Sequence, residues 1–301
     1  MTALPDLYPG FAARRIATPG AEIFLRTGGQ GPPLLLLHGY PMTHVTWHKI
    51  APELARRYTL VIPDLRGYGA SSAPAGDPEH TIYSKRTMAQ DCLAAMRALG
   101  HERFMVAGHD RGGRVAYRMA LDHPQAVRAL VPIDIIPTGE VWQRISAEAA
   151  IKSYHWTFLA QPAPLPETLI GKDPDFYLEH TLKSWARDRT LSCFSDGALA
   201  HYRALLRDPH RVHAVCEDYR AGASIDRQLD EADMAAGRKI DCPILVLRAS
   251  HYLRGSPLEV WRRWCPTATE ATVTSGHFLA EENPQETVAA LLAFLSAVAA
   301  A

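Results

Sequence analysis

The sequence predicts an α/β fold, in which helices flank a mostly parallel β-sheet and one long helical segment is inserted between two strands. Two observations support this prediction. Short β-rich runs alternate with longer helical patterns along the chain, which is typical of a parallel sheet covered by helices. The stretch 137–238 breaks the alternation, because it has helical spacing, many aromatic residues and no obvious strand.

Seven runs are predicted as strands: EIFLRT (22–27), PLLLLH (33–38), TLVIPD (59–64), RFMVAG (103–108), RALVPID (128–134), PILVLR (243–248) and EATVTS (270–275). A continuous apolar run such as 33–38 is typical of a strand that is buried on both faces. Helices are predicted from about Ser84 to Leu99, from Arg111 to Asp122, and from about Pro284 into the alanine-rich end of the sequence.

The segment 137–238 is predicted to be a helical cap, and 1–136 together with 239–301 form the predicted core. The aromatic residues of this segment include Trp142, Trp156, Trp185, Tyr154, Tyr177, Tyr202 and Tyr219. Open α/β sheets bind ligands at the carboxyl ends of their strands. We therefore expect the cap to close over that edge of the sheet.

The composition argues against several classes of protein. The 32 basic and 32 acidic residues balance, so no overall charge favours nucleic acid or a membrane surface. The first ten residues lack the basic and apolar regions of a signal peptide. The cysteines are odd in number and show no CxxC spacing, which indicates free thiols in the cytoplasm and no zinc site. They are Cys92, Cys193, Cys216, Cys242 and Cys265.

The clearest chemical signal is a G-x-D-x-G turn at 108–112, between a predicted strand and a predicted helix. This pattern is the nucleophile elbow of the α/β-hydrolase fold, in which a strained turn presents the central side chain. That residue is Asp110, whereas most such elbows carry serine. A carboxylate can displace a leaving group from saturated carbon, forming an ester that water must hydrolyse. Asp110 is therefore the predicted nucleophile, with carbon–halogen bonds or epoxides as targets; the alternative is an aspartate that only caps the helix.

Two further residues complete a catalytic triad. His277 follows the last predicted strand, as expected for the order nucleophile, acid, histidine. It would activate water to attack the ester. The loop 249–257 contains no carboxylate, so Asp134, at the end of an earlier strand, is the predicted partner of His277. A purely structural aspartate is the alternative.

An oxyanion forms on the carbonyl of Asp110 when the ester is hydrolysed. Its predicted donors are the backbone N–H of Arg111, next to the nucleophile, and that of Tyr40 in the loop after PLLLLH. We expect His38, which precedes that loop, to make structural hydrogen bonds.

Arg111 and Arg114 lie three residues apart at the start of the elbow helix, and hence on one face beside Asp110. Buried guanidinium groups need an anion, and this pair could clamp a substrate carboxylate. The alternative is that one or both are surface arginines paired with acids of the cap. We expect Arg118, one turn further, to be solvated.

Together these motifs resemble the fluoroacetate (haloacetate) dehalogenases of the α/β-hydrolase family. The similarity is carried by GHDRGGRVAYR, ID at 133–134, YHW at 154–156, CEDYRAGA at 216–223 and SGHF at 275–278, and it runs over nearly the whole chain. It implies conversion of fluoroacetate and water to glycolate and fluoride. Asp110, Asp134 and His277 would catalyse the reaction, with Arg111 and Arg114 on the substrate carboxylate.

The resemblance further implies a halide pocket formed by His155, Trp156 and Tyr219, and a homodimer without cofactor or metal. Imidazole, indole and phenol groups can donate hydrogen bonds to a departing halide. Without the resemblance, these three residues would be interpreted as core of the cap. The loop 249–256 (ASHYLRGS) departs from the family by its histidine, tyrosine and arginine.

Other functions share parts of this pattern. An epoxide hydrolase would also use an aspartate nucleophile, with Tyr154 and Tyr219 as acids, but a neutral epoxide offers Arg111 and Arg114 nothing to bind. A dehalogenase for neutral haloalkanes is disfavoured for the same reason, because such a substrate also has no group for Arg111 and Arg114 to bind. A dehalogenase limited to chloroacetate and bromoacetate remains open. A non-catalytic binding protein is disfavoured, because no member of the predicted triad is missing.

Overall fold

The structure is a computed structural model that describes residues 4–251 and 256–300. These residues form one eight-stranded sheet with the order β1-β2-β4-β3-β5-β6-β7-β8. The first two pairings are antiparallel and the other five are parallel. The strands are β1 (Ala12–Thr18), β2 (Ala21–Gly28), β3 (Pro33–Leu37), β4 (Thr59–Pro63), β5 (Phe104–His109), β6 (Val127–Ile133), β7 (Leu245–Ala249) and β8 (Thr269–Val273). The mostly parallel sheet predicted from the sequence is confirmed.

The strand that the prediction missed is β1. It forms an antiparallel hairpin with β2 at one edge of the sheet, and most of its residues are exposed. Its sequence, AARRIAT, has no apolar run because the strand covers little of the core. The predictions relied on such runs, so they did not include it.

Helices lie between these strands and after the last of them. They are α1 (Ala51–Leu54), α2 (Lys85–Ala98), α3 (Arg111–Asp122), α4 (Thr138–Gln143), α5 (Ala147–Lys152), α6 (Tyr154–Leu159), α7 (Leu165–Lys172), α8 (Pro174–Trp185), α9 (Asp196–Arg207), α10 (Pro209–Ala223), α11 (Ile225–Ala235), α12 (Leu258–Arg262), α13 (Leu279–Glu282) and α14 (Pro284–Ala300). The predicted helices correspond to α2, α3 and α14. The side chain of Ser84 caps α2 by accepting a hydrogen bond from the N–H of Thr87.

All eight helices from α4 to α11 lie between β6 and β7, and residues 134–244 contain no strand. This is the helical insertion that the aromatic-rich segment indicates. The cap boundaries at 137 and 238 stay predictions. We refer to helices α4 to α11 and the loops between them as the cap. No helix among the described residues is both long and apolar enough to cross a bilayer.

The central strands position the site. Leu34–Leu37 of β3 and all of β5 are buried, so both faces of the middle of the sheet are covered. Each buried leucine of this kind contributes about 1.5–3 kcal/mol of hydrophobic stabilisation. Because β3, β5, β6, β7 and β8 run in parallel, the loops that follow them meet at one edge of the sheet. The predicted catalytic residues follow these strands.

Candidate active site

Asp110 lies on a sharp turn between β5 and α3, with φ 48° and ψ −115°. L-residues rarely adopt a positive φ, so the backbone of Asp110 is strained, and neighbouring glycines leave room for the sharp turn. A Cβ on Gly39 would lie 2.4 Å from the Cβ of Asp110, and one on Gly112 would lie 2.4 Å from the carbonyl oxygens of Leu37 and His38. Gly39 and Gly112 therefore allow the close packing around Asp110 that the elbow requires.

The Asp110 side chain contacts the loops that follow β3 and β8, and not the first turn of α3. It makes no capping hydrogen bond to α3, so the helix-cap alternative does not describe it. Its Oδ1 accepts a hydrogen bond from the backbone N–H of Tyr40 at 2.9 Å, and its Oδ2 lies 3.9 Å from Nε2 of His277. The predicted nucleophile, the predicted base and one predicted oxyanion donor thus lie close together.

Asp134 and His277 are hydrogen-bonded, with 2.7 Å between Oδ2 and Nδ1. The other carboxylate oxygen, Oδ1, accepts from the N–H of Ala249 at 3.0 Å, and the backbone of Asp134 has φ 55°. A hydrogen bond that Nδ1–H donates to Asp134 leaves Nε2 as the acceptor facing Asp110. The arrangement is that of an acid orienting a base.

The groups around Asp110 favour its ionised form. Burial raises the pKa of this carboxyl, but His277, His109, Arg111 and Arg114 outweigh burial, and the pKa lies below its usual value. Asp110 is therefore a carboxylate near neutral pH, as its predicted role of nucleophile requires. Burial has the larger effect at Asp134, whose pKa is raised although the hydrogen bond with His277 lowers it.

His109 adds a second imidazole that the motif did not single out. Its ring centroid is 4.5 Å from that of His277. Burial lowers the pKa of His109 to about 3, so this residue is neutral. His38 makes two hydrogen bonds to backbone, from the N–H of Leu65 to its Nε2 and between its Nδ1 and the oxygen of Gly39, each 3.0 Å. This is the structural role expected for His38.

Arg111 is fully buried and is held by a carboxylate of the cap. Its Nε and Nη2 contact Oδ2 and Oδ1 of Asp218 at 3.0 and 2.6 Å, and Nη2 also donates to the carbonyl oxygen of Asp218 at 2.7 Å. The alternative of a surface arginine is wrong for Arg111, but the pairing with an acid of the cap is correct. The remaining nitrogen, Nη1, has no hydrogen-bond partner among the described residues.

Asp218 is the centre of a buried ionic cluster that sequence reasoning missed. It also pairs with Nζ of Lys85, and its Oδ2 accepts from the hydroxyl of Tyr68 at 2.7 Å. Asp226 lies 3.4 Å from the same Lys85 nitrogen. Burial raises the pKa of Asp218, but Arg111 and Lys85 outweigh this and hold it well below its usual value.

Arg114 is also buried, with 3% of its surface exposed, and its side-chain hydrogen bonds to described residues are to neutral groups. Its Nη1 donates to the oxygen of Ile136 at 2.9 Å and to Oγ1 of Thr138 at 3.2 Å, and its Cζ lies 4.4 Å from the ring centroid of Trp156. Nε has no partner, and no carboxylate within the described ranges forms an ion pair with Arg114. Burial, followed by the charge of Arg111, lowers the pKa of Arg114. Among the described residues, Arg114 is therefore a buried cation that forms no direct ion pair, although the charge of Asp110 acts to raise its pKa.

Arg118 is not solvated, and the expectation that it would be is wrong. Only 2% of its side chain is exposed, and it pairs with Asp230 at 2.8 Å and with Asp233 at 2.6 Å. Both carboxylates belong to α11 of the cap. The spacing on α3 did not show that α11 packs against Arg118.

The three residues of the predicted halide pocket are brought together. His155 and Trp156 lie on α6 and Tyr219 on α10, all buried, with the Tyr219 ring 5.8 and 6.0 Å from the rings of His155 and Trp156. Nδ1 of His155 and the hydroxyl of Tyr219 have no partner among the described residues. Burial lowers the pKa of His155 to about 3. Cζ of Arg111 lies 4.2 Å from the Tyr219 ring, so the three aromatic residues adjoin both arginines.

Trp185, at the end of α8, lines the same region. Its ring lies 4.5 Å from that of His155 and 5.4 Å from that of His277, and its carbonyl oxygen accepts from the N–H of His277 at 3.0 Å. A tryptophan within a helical pattern is typical of core, so no local signal distinguished it. Residues 252–255 of the unusual 249–256 loop lie outside the described residues. In the described part of the chain, no group of three or more His, Cys, Asp or Glu side chains could hold a metal ion.

This fold and geometry agree with comparisons to known proteins. Residues 32–284 match the model of the alpha/beta hydrolase fold family. The chain belongs to the α/β-hydrolase family, and it is a hydrolase. It is 44% identical to the fluoroacetate dehalogenase of a Burkholderia species, over 96% of this chain and 95% of that one. The resemblance inferred from the motifs is thereby confirmed.

Two other relatives show the range of the family. The soluble epoxide hydrolase of Corynebacterium sp. (strain C12) is 31% identical over 92% of this chain and 94% of its own. The crystal structure of ALR0039 from Nostoc sp PCC 7120, assigned to the alpha/beta hydrolases, is 49% identical with a TM-score of 0.92. The match covers 95% of this chain and 98% of that one.

Proposed function

We propose that this protein is a haloacetate dehalogenase that hydrolyses fluoroacetate to glycolate and fluoride through an ester on Asp110. One observation carries the choice of substrate: Arg114 is buried beside an aspartate nucleophile and has no anionic partner among the described residues. A buried cation is costly unless an anion approaches it. A carboxylate on the substrate would supply that anion.

The first step is displacement of the halide. Nε of Arg114 and Nη1 of Arg111 are buried donors without partners in the described structure, and both would bind the substrate carboxylate. This places the α-carbon against Asp110. Because the N–H of Tyr40 holds Oδ1, we expect Oδ2 to attack, with inversion at the carbon. The halide leaves toward Nδ1 of His155, the indole of Trp156 and the hydroxyl of Tyr219.

The second step is hydrolysis of the ester. Nε2 of His277 accepts a proton from water, which attacks the carbonyl carbon of Asp110. The hydrogen bond from Tyr40 to Oδ1 then stabilises the oxyanion, together with the N–H of Arg111, which opens α3 and has no helical acceptor. Asp134 stabilises the imidazolium of His277. The products are glycolate and the free carboxylate of Asp110.

Similarity to the Burkholderia fluoroacetate dehalogenase over nearly the full length of both chains supports this proposal. The Corynebacterium epoxide hydrolase supports the aspartate mechanism, but a neutral epoxide would leave Arg114 without an anion. A neutral haloalkane would do the same. The homodimer is proposed from the resemblance alone, and the cytoplasmic location from five unpaired thiols.

The proposal is tested by incubating the purified protein with fluoroacetate and following fluoride with an ion-selective electrode. Chloroacetate and the Asp110→Asn variant are run alongside. We expect fluoride release by the wild type and none by the variant. Chloride without fluoride would restrict the enzyme to weaker carbon–halogen bonds. Absence of both halides would contradict the proposal.

A further inference from the structure

We propose that the same site hydrolyses epoxides that carry a carboxylate on the ring, the oxirane-2-carboxylates, to 2,3-dihydroxy acids. This inference rests on the proposed function, because it uses the same nucleophile, arginines and histidine. It extends that function to a different leaving group, an oxygen that remains attached to the product.

An epoxide requires one thing that a haloacid does not, a proton for the ring oxygen as the carbon–oxygen bond breaks. Tyr219 has a hydroxyl that can supply it. That hydroxyl is buried, and no described residue accepts its hydrogen bond, so its proton is not committed elsewhere. Nδ1 of His155, whose ring lies 5.8 Å from that of Tyr219, also has no partner among the described residues and can share a hydrogen bond with the same oxygen.

The position of Tyr219 suits this role. Its ring lies 5.4 Å from that of Tyr40, whose backbone N–H holds the nucleophile, and 4.2 Å from Cζ of Arg111. Tyr219 thus packs against Tyr40 and Arg111, the residues that supply the predicted oxyanion donors. Burial, followed by the charge of Asp110, raises the pKa of Tyr219, so the phenol keeps its proton until an alkoxide forms.

The arginines determine which epoxides fit. A neutral epoxide leaves the buried Arg114 without an anion, which disfavours it as a substrate. A carboxylate attached to the ring removes that objection. The ring carbon next to the carboxylate, C2, is then the α-carbon, the same position that bears the halogen in a haloacetate. It would lie where Asp110 attacks.

The reaction balances without a co-reactant. Asp110 forms a bond to C2, the C2–oxygen bond breaks, and the oxygen, still attached to C3, takes the proton of Tyr219. Water then gives one proton to His277 and its hydroxyl to the Asp110 carbonyl carbon. Cleavage of the ester leaves an oxygen on C2, which takes the proton held by His277 and becomes the C2 hydroxyl. The carboxyl group of Asp110 returns its proton to the tyrosinate of Tyr219. No net acid is released, whereas each haloacetate releases one proton with its halide.

The test uses one enantiomer of oxirane-2-carboxylate with the purified full-length enzyme, and chloroacetate in parallel. The neutral control is oxiranylmethanol, which has the same ring without the carboxylate. We expect 2,3-dihydroxypropanoate with inverted configuration at C2, and turnover of the neutral epoxide that is slower by at least about 1000-fold. Tyr219→Phe should lower turnover of the epoxide by about 100-fold and that of chloroacetate by less. Tyr83→Phe, a buried tyrosine outside the site, is the matched control.

The outcomes separate this inference from the proposed function. Chloride release with no opening of oxirane-2-carboxylate would overturn the inference and leave the proposed function intact. Failure on both substrates would overturn both. Retained configuration at C2 would mean attack at C3 and would also overturn the inference, as would equal turnover of the neutral epoxide. Because Tyr219 donates no hydrogen bond to described residues, Tyr219→Phe should fold, and its thermal unfolding will verify this.

Discussion

Arg111 and Asp218 form a buried, two-pronged ion pair that joins the first residue of α3 to the cap helix α10. Nε–Oδ2 and Nη2–Oδ1 are 3.0 and 2.6 Å apart, and neither side chain is exposed. This pairing neutralises much of the charge of Arg111. It also fixes the orientation of Nη1, which has no hydrogen-bond partner among the described residues. Arg114, by contrast, has no such partner in the described structure, so we expect the two arginines to contribute differently to substrate binding.

Asp218→Asn should raise KM for chloroacetate by about 10-fold with a smaller change in kcat, because Arg111 loses its orienting charge. The matched control is Asp226→Asn, which also pairs with Lys85 but does not contact Arg111. Both variants remove a buried charge and should destabilise the fold by about 3–5 kcal/mol. Steady-state kinetics at a temperature where both are folded separates the two effects. Equal KM values for the two variants would contradict a positioning role for Asp218.

Arg114→Gln should lower kcat/KM for chloroacetate by at least about 100-fold, because it removes the cation that meets the substrate carboxylate. Turnover of the neutral chloroacetamide should change far less. Arg118→Gln is the control on the same helix, since Arg118 is buried in ion pairs with Asp230 and Asp233. If Arg114→Gln reduced the rates on the acid and the amide equally, Arg114 would not be the carboxylate ligand.

His277→Asn should leave the first chemical step, displacement of the halide, unchanged and block the second, hydrolysis of the ester. We expect one halide released per active site, followed by accumulation of protein that is heavier by the mass of the substrate-derived carboxymethyl group. Asp134→Asn should slow hydrolysis of the ester without abolishing it, because the base is retained. Rapid-quench measurement of halide together with intact-protein mass spectrometry checks both. Complete loss of halide release in His277→Asn, in a folded protein, would contradict the two-step mechanism.

Glu281 should make stability depend on pH. Burial raises the pKa of Glu281 to about 7, although Lys49, 3.2 Å away, and the hydroxyl of Tyr202 lower it. The folded state thus binds this proton more tightly than the unfolded state. The associated stability is fully present below the unfolded pKa near 4.5 and is lost as pH rises through 7.

Glu281→Gln removes this titration, so its unfolding free energy should rise relative to wild type by about 3 kcal/mol between pH 4.5 and pH 8. Urea unfolding across that range measures the difference. Glu286→Gln, on the exposed start of α14, is the control, and it should show no such rise. A constant difference between Glu281→Gln and wild type across this range would show that folding does not raise the pKa of Glu281.

The sheet and the three residues Asp110, Asp134 and His277 could be placed from the sequence because of one geometric rule. The ends of parallel strands meet at the same edge, so residues distant in sequence become neighbours once the strands are recognised. The mutual contacts of these residues follow that rule. The edge strand β1 was not predicted, because its sequence contains no apolar run.

The partners of the arginines could not be predicted in the same way. Asp218 meets Arg111, and Asp230 and Asp233 meet Arg118, only because α10 and α11 of the cap pack against α3. No periodicity within α3 specifies that packing, and an arginine without a visible partner is normally solvated. Trp185 was missed for a related reason, since an aromatic residue in a helix indicates core whether or not it also faces a site.

The central claim is that Asp110 itself attacks the substrate carbon, and isotope labelling tests it most directly. The wild-type enzyme is allowed many turnovers of chloroacetate in H₂¹⁸O, and the peptide containing Asp110 is then analysed by mass spectrometry. The ester mechanism predicts ¹⁸O in the carboxylate of Asp110, and a single turnover with excess enzyme should yield glycolate that contains unlabelled oxygen. An unlabelled Asp110 with ¹⁸O-glycolate from the first turnover would mean direct attack by water and would contradict this account.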